Sequence, residues 1–402
     1  MRCFEAIENL SGRCFSSEIT VFGAKRSIDM NFQNHPPVRL FLGDNAMREN
    51  TDKFRLGKKA LVVSGKHGAD ACGAMAEVDE ILTALSIPYV RFQEIMENPP
   101  AETCYRGGRY ARENGCDFVI AIGGGSSLDG AKAVAAYAAN PDMGVTEIFD
   151  GLKNPCLPLI AIPTTAGTGS EAVCYAVLTL PGGKQKKTFK DPSSFPRVSF
   201  VCPKFTHTQS KRNTESTALD ALAHAMESYL SPKSTPESEE AALYAAHEVW
   251  DVLFRDADGD GARDPGGYTA TQRERLSYAA CAAGIAIHYT GTGFPHPLGY
   301  SLTLTYGIPH GYACALFEGA YITYNQLTPV GAEKLSRMAA HLDTTVAEMA
   351  AKIPAKPGID LHMTPEKAEE LIDLVSGAGN YKNSPYVLTR GEMSDIYRRL
   401  FC

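Results

Sequence analysis

Phe118-Val119-Ile120-Ala121-Ile122-Gly123-Gly124-Gly125-Ser126 passes from five apolar residues straight into three glycines and a serine, and the Leu128–Tyr137 segment behind it has helical character, with Asp129 and Lys132 in its first turns. A short apolar run closed by glycines reads as a buried strand, and the segment after it as a helix. In that order, strand, glycine turn and helix N-terminus let the backbone approach a pyrophosphate closely and offer it free N–H groups at the positive end of a helix dipole. A bare tight turn also uses glycine, so the run alone is weak evidence. A second loop strengthens it: Pro163-Thr164-Thr165-Ala166-Gly167-Thr168-Gly169-Ser170-Glu171 follows the apolar Leu159–Ile162 and concentrates hydroxyls and glycines where a cofactor can be hydrogen-bonded.

Outward from this stretch the first half alternates β-rich and helical patterns: Ala60–Ser64, a helix near Ala74–Leu85, Tyr89–Phe92, a helix near Tyr105–Asn114, then Phe118–Ile122. That rhythm implies βαβ units around a parallel sheet. Val38–Gly43, reached from Met30-Asn31-Phe32, reads as the first strand, and residues 1–29 as an N-terminal extension. From about Thr214 onward long Ala-rich segments replace the strands, among them Leu219–Leu230, Ser238–Phe254, Thr271–His288 and Pro365–Ser376. The expected organisation is a dinucleotide-binding α/β domain over residues 30–202 and an all-α metal-binding domain over 203–402, divided near Cys202-Pro203, with the chemistry in the cleft between them.

A chain of 402 residues, 44% of them hydrophobic, can bury a sizeable core and suits two domains better than one. The net charge of −7 is spread along the chain, which argues against a nucleic-acid partner. Eleven cysteines without a C-x-x-C pair point to reduced thiols. With no apolar run long enough to span a bilayer and no secretory pattern at the start, a cytoplasmic location without membrane contact is expected.

Asp220 and His224 are four apart in Leu219–Leu230, so a helix puts both on one face, as metal ligands at that spacing require. Surface hydrogen bonding uses the same spacing. His296 in Phe294-Pro295-His296-Pro297-Leu298-Gly299 and His310 in Gly307-Ile308-Pro309-His310-Gly311 lie in Gly/Pro-containing surroundings where turns or helix ends direct imidazoles into a cleft. Three nitrogens and one carboxylate suit Fe²⁺ or Zn²⁺ and leave a net positive charge for an alkoxide.

Gly123–Ser126 with Asp129 and Lys132, Pro163–Glu171, Asp220-Ala221-Leu222-Ala223-His224-Ala225 and Pro309-His310-Gly311 resemble the iron-containing alcohol dehydrogenase family, in the family's order and spacing from about Met30 to the C-terminus. The resemblance implies a Rossmann-like N-terminal domain followed by an all-helical one, the architecture shared with dehydroquinate synthase, in a homo-oligomer. It implies a divalent metal on Asp220, His224, His296 and His310, with Gly123, Gly124, Gly125, Ser126 and Asp129 at the cofactor pyrophosphate. Thr164, Thr165, Thr168 and Ser170 would line the same cofactor, and Lys186, in the register fixed by Asp191-Pro192, would approach its ribose. Cys174, Ile287 and His288 fall where the family's substrate pocket lies. The implied reaction is hydride transfer between NAD(P)H and a small aldehyde or ketone.

Two positions depart from the family. Where many members carry a histidine near the nicotinamide this chain has Tyr300, which becomes the candidate proton relay alongside His288. Where an aspartate often excludes a 2′-phosphate, Ser64-Gly65-Lys66 has a glycine flanked by a hydroxyl and a cation, which favours NADP(H) over NAD(H). Asp256-Ala257-Asp258-Gly259-Asp260-Gly261 matches half of an EF-hand loop, but position twelve is Gly267, so a solvated loop is expected. The competing readings are a synthase or lyase of the same architecture that uses NAD transiently, and an idle binding scaffold.

Overall fold

The computed structural model of the protein describes residues 37–402 apart from Lys184. The expected extension, residues 1–29, and Met30-Asn31-Phe32 lie outside the described residues. Eight strands follow: β1 (Arg39–Leu42), β2 (Ala60–Ser64), β3 (Tyr89–Phe92), β4 (Phe118–Gly123), β5 (Leu159–Pro163), β6 (Tyr175–Thr179), β7 (Lys186–Lys190) and β8 (Val198–Val201). Six form a parallel sheet in the order β1-β8-β5-β4-β2-β3, while β6 and β7 pair as an antiparallel hairpin that the sequence reading did not anticipate.

β2, β4 and β5 are buried along their whole length, which is why they read as continuous apolar runs rather than alternating ones. Successive side chains nevertheless serve opposite cores. Leu61, Val63, Val119 and Ala121 face α4 (Ala101–Glu113) and α5 (Gly125–Ala139). Val62, Ile120 and Ile122 face the other layer, which includes α3 (Ala74–Ala84). The short α1 (Ala46–Glu49) and α2 (Gly68–Ala71) complete that side. The strand order reverses between β2 and β4, so the crevice at their C-terminal ends, between Gly65 and the Gly123–Gly125 turn, is where an open parallel sheet takes a ligand.

No strand follows Val201 among the described residues; helices take over: α6 (Lys211–Leu230), α7 (Pro236–Arg255), α8 (Ala270–Thr290), α9 (Pro295–Tyr306), α10 (His310–Asn325), α11 (Pro329–His341), α12 (Val346–Ala355), α13 (Pro365–Val375) and α14 (Arg390–Phe401). Ser210, Thr235 and Thr269 cap α6, α7 and α8 through side-chain oxygens that accept backbone N–H groups three residues on. α9 and α10 are fuller helices than the Gly/Pro surroundings of their histidines suggested. Pro295 and Pro297 sit in the first turn of α9, where no intrahelical N–H bond is lost, and Gly307, at φ +65°, ends that helix in the left-handed region. The described residues gather into one compact unit, in which no helix is long and apolar enough to cross a membrane.

Candidate active site

Three helices bring the four expected ligands together. α6 carries Asp220 and His224 one turn apart, His296 lies in the first turn of α9, and His310 opens α10. The approach of α10 to α6 depends on Gly311, because a Cβ there would collide with the Ser216 carbonyl oxygen. Asp220 Oδ1 becomes the centre of the group, 3.6 Å from His296 Nε2, 3.8 Å from His310 Nε2 and 3.9 Å from His224 Nε2. Four donors at roughly 2.0–2.2 Å from one ion would stand roughly 3.3–3.6 Å apart. The observed spacing is slightly wider than that tetrahedron. Asp220 Oδ1 and His296 Nε2 are buried with no hydrogen-bond partner, a cost that a divalent cation between them removes.

The electrostatics agree with a cation site. Burial alone would raise the Asp220 carboxyl, but His224, His310 and His296 overcome it and hold the group far below the carboxylate range. Burial depresses His224 to about 4 and His310 to about 3 against the pull of Asp220, so both imidazoles are neutral ligands in waiting. His296 goes the other way: burial would lower it, yet Glu227 and Asp220 raise it to about 10.

Sequence reading missed three residues around this group. Cys314, one turn after His310, sets its Sγ 3.7 Å from His310 Nε2, and Asp220, His296, His310 and Cys314 have donor atoms all within 4.8 Å of one another. Glu227 Oε1 lies 2.7 Å from His296 Nδ1, and Glu318 is fully buried with both oxygens unpaired. Glu227 was detectable, since it continues the α6 face of Asp220 and His224; Glu318 and Cys314 follow His310 along α10 at helical spacing.

Tyr300 stacks on His310 at 5.2 Å between ring centroids and is met on its ring by Lys186 Nζ at 4.9 Å. Burial keeps the Tyr300 phenol protonated far beyond neutral pH. Lys186, on the hairpin, is lowered to about 8 by burial against the pull of Cys314, Asp220 and Asp129, a set that spans the metal group and the glycine-loop helix. The hairpin therefore carries this lysine from the sheet side to the histidines.

The two glycine loops lie against each other. A Cβ on Gly124 would crowd Thr165 and one on Gly125 would collide with Thr168, so these glycines admit the second loop as well as any phosphate. No side chain caps the α5 N-terminus above Gly124, and Thr164 N–H donates to the Gly123 carbonyl at 3.0 Å. Three residues expected at the cofactor also have protein partners. Ser126 Oγ accepts from Asn98 N–H at 3.2 Å. Asp129 accepts from Ser170 Oγ at 2.6 Å and from Val177 N–H at 2.8 Å, while Lys132 donates to the Ser170 hydroxyl at 2.8 Å, so Asp129 and Ser170 brace the loop to the hairpin. Ser64 is fully buried and its hydroxyl donates to the Gly65 carbonyl at 3.0 Å, which leaves Gly65 and the exposed Lys66 at the end of β2.

Cys174 is buried beside Val38 and Phe195, and the Phe195 ring meets His288 at 5.0 Å, which brings Cys174 and His288 to one wall; Ile287 is buried next to His288 on α8. Burial, helped by Lys190, lowers His288, so it is a poor acid at neutral pH. The calcium-like loop is neutralised by one arginine of its own and two from α8. Asp256 pairs with Arg263 at 2.8 Å, Asp258 with Arg275 at 2.8 Å and Asp264 with Arg273 at 2.6 Å.

The chain is similar to known proteins in both halves. Residues 37–203 match the family described as iron-containing alcohol dehydrogenase, and residues 214–401 match its C-terminal family. The 1,3-propanediol dehydrogenase of Citrobacter freundii is 29% identical over 90% of this chain and 96% of its own. The NADPH-dependent butanol dehydrogenase of Clostridium saccharobutylicum is 29% identical over 71% of this chain and 72% of its own. The crystal structure of an iron-containing alcohol dehydrogenase from Thermotoga maritima superposes with a TM-score of 0.82 at 31% identity, covering 91% of this chain and 98% of that one. With both halves matched and the histidine-carboxylate group beside a parallel-sheet crevice, the chain belongs to the iron-containing alcohol dehydrogenase family.

Proposed function

We propose that this enzyme reduces a small aldehyde or ketone with NADPH at a metal centre formed by Asp220, His224, His296 and His310. As a member of the family it is an oxidoreductase acting on the CH–OH group with NAD(P). The observation that carries the site assignment is the convergence of three Nε2 atoms within 3.9 Å of Asp220 Oδ1.

When bound, the divalent metal supplies a Lewis acid to the carbonyl oxygen and the nicotinamide supplies the hydride. Three neutral imidazoles with a single carboxylate leave such a centre net positive, which suits a developing alkoxide. Gly123–Gly125 and the α5 N-terminus hold the pyrophosphate; Thr164, Thr165 and Thr168 line the cofactor. Lys186 approaches the ribose from the hairpin. Tyr300 Oη, kept as a neutral phenol by burial, relays a proton from solvent to the product oxygen, taking one up as it gives one away. Cys174, Ile287 and His288 shape the substrate pocket, His288 as a neutral ring. The preference for NADPH follows from Gly65, which presents no carboxylate to repel a 2′-phosphate, and from the exposed Lys66 beside it. A relative named as an NADPH-dependent butanol dehydrogenase is consistent with it. We further propose a cytoplasmic homo-oligomer whose chain divides near Cys202-Pro203 into a cofactor domain and a helical metal domain.

The test is anaerobic turnover of small aldehydes with NADPH and with NADH, on protein loaded with Fe²⁺, with Zn²⁺ or with no metal. Metal-dependent oxidation with kcat/KM higher for NADPH supports the reading. A higher kcat/KM for NADH overturns the cofactor assignment, and turnover indifferent to metal overturns the site.

A further inference from the structure

Asp220, His224 and Glu227 occupy one face of α6, at steps of four and three residues. The first two point at the metal group. The third does not reach it but stands behind His296: Glu227 Oε1 accepts from His296 Nδ1 at 2.7 Å, which leaves His296 Nε2, on the opposite side of the ring, facing Asp220 at 3.6 Å. The other oxygen, Oε2, accepts the N–H of Gly293, in the turn that leads into α9. Glu227 is fully buried, as is Glu318 of α10, whose carboxyl is pushed up by burial and by the charge of Glu227. One carboxylate thus ties the helix that carries two ligands to the turn that presents the third, next to the helix that presents the fourth.

A buried carboxylate is expensive unless each oxygen finds a donor, and both do here. A purely structural anchor would need only the Gly293 contact. The bond to His296 Nδ1 does something further: it fixes the ring tautomer and rotation with Nε2 free to bind, and it increases the ring's basicity as a ligand. We propose that Glu227 is the positioning residue of the metal centre, holding His296 as a Nε2 ligand through its Nδ1–H. The inference rests on the ligand set proposed above.

The test uses the metal-free full-length protein titrated with Zn²⁺ against a fluorescent chelator, wild type beside E227Q, with thermal midpoints recorded with and without Zn²⁺. For E227Q a Zn²⁺ affinity about 10- to 100-fold weaker is expected, together with a smaller zinc-induced rise in midpoint and a metal-free midpoint close to wild type. Loading with Co²⁺ gives a spectroscopic reading of ligand geometry, and its visible bands should shift in E227Q. Equal Zn²⁺ affinity and an unchanged Co²⁺ spectrum in folded E227Q overturn the proposal. Failure of the wild type itself to bind Zn²⁺ would instead overturn the ligand set. Should E227Q not fold, the wild type answers alone: ¹⁵N-histidine-labelled protein should show a slowly exchanging, strongly downfield ring Nδ1–H that persists on zinc loading while the Nε2 signal of the same ring shifts, and no such proton in the zinc-loaded protein overturns the assignment.

Discussion

At His296 two carboxylates outweigh burial, and before any metal arrives the imidazole is held charged, raised to about 10. His224 and His310, at about 4 and 3, are already neutral. A cation must therefore displace a proton from one ring and not from three. Metal uptake at pH 7.5 should release about one proton, and affinity should climb with pH until His296 deprotonates by itself near pH 10. Calorimetric titration in buffers of different ionisation enthalpy reads this directly; binding without proton release would contradict the charge assigned to His296. Glu171, on the cofactor loop, offers a second case. Burial raises its carboxyl from 4.5 to about 7, with its own backbone and Lys132 opposing. The folded state holds this proton more tightly than the unfolded chain, so the contribution to stability is fully present below pH 4.5 and lost as pH rises through 7. Replacing the carboxyl by an amide removes that loss. Glu171→Gln should match the wild type in thermal midpoint near pH 4.5 and exceed it at pH 8, by up to roughly 3 kcal/mol for a shift of this size. An equal midpoint at pH 8 would show that the charge is already compensated.

Among the elements, α10 is placed by a contact that tolerates no side chain: Gly311 lies against the Ser216 carbonyl, one turn before Asp220. Gly311→Ala must push α10 away from α6 and carry His310 with it. We expect a loss of metal affinity of at least about tenfold, the scale on which misplaced ligand support acts, with a lower thermal midpoint; Ala at this position with wild-type affinity would mean that α10 shifts without moving His310. The same motif shows what the sequence made legible. Pro309-His310-Gly311 stood out by composition, and Asp220 with His224 by spacing, because a helix period and Gly/Pro punctuation are local properties. The strand-turn-helix at Phe118–Ala139 was readable for the same reason. The partners of Ser64 and Asp129 were not legible because they are decided by folding: a hydroxyl at the end of β2 turns onto the next carbonyl, and Asp129 meets Ser170 and Val177 from a hairpin with no strong signal of its own. Glu227 lay in plain view on the α6 face, but its function depends on His296, which reaches it only through the packing of α9 and α6 against α10.

On the scale of the whole molecule the four ligands come from three helices, and the parallel sheet contributes none of them. The cofactor loop nonetheless leans on the same helical layer, since a Cβ on Gly167 would meet the Thr217 carbonyl on α6 and one on Gly169 would meet Gly284 on α8. A metal bound only by the folded protein then acts as a cross-link within the helical layer. At a free concentration 1,000 times its Kd it stabilises by about 4 kcal/mol. At roughly 2–4 °C per kcal/mol for a large domain, saturating Zn²⁺ should raise the thermal midpoint by roughly 8–16 °C, and a strong chelator should reverse the rise. Asp220→Asn is the informative partner. It removes the central carboxylate while keeping the side-chain volume, so its midpoint should be indifferent to zinc and chelator alike. A zinc-induced rise preserved in D220N would place the stabilising metal elsewhere on the molecule; a rise confined to the wild type would tie the integrity of the helical layer to the same atoms that hold the reaction centre.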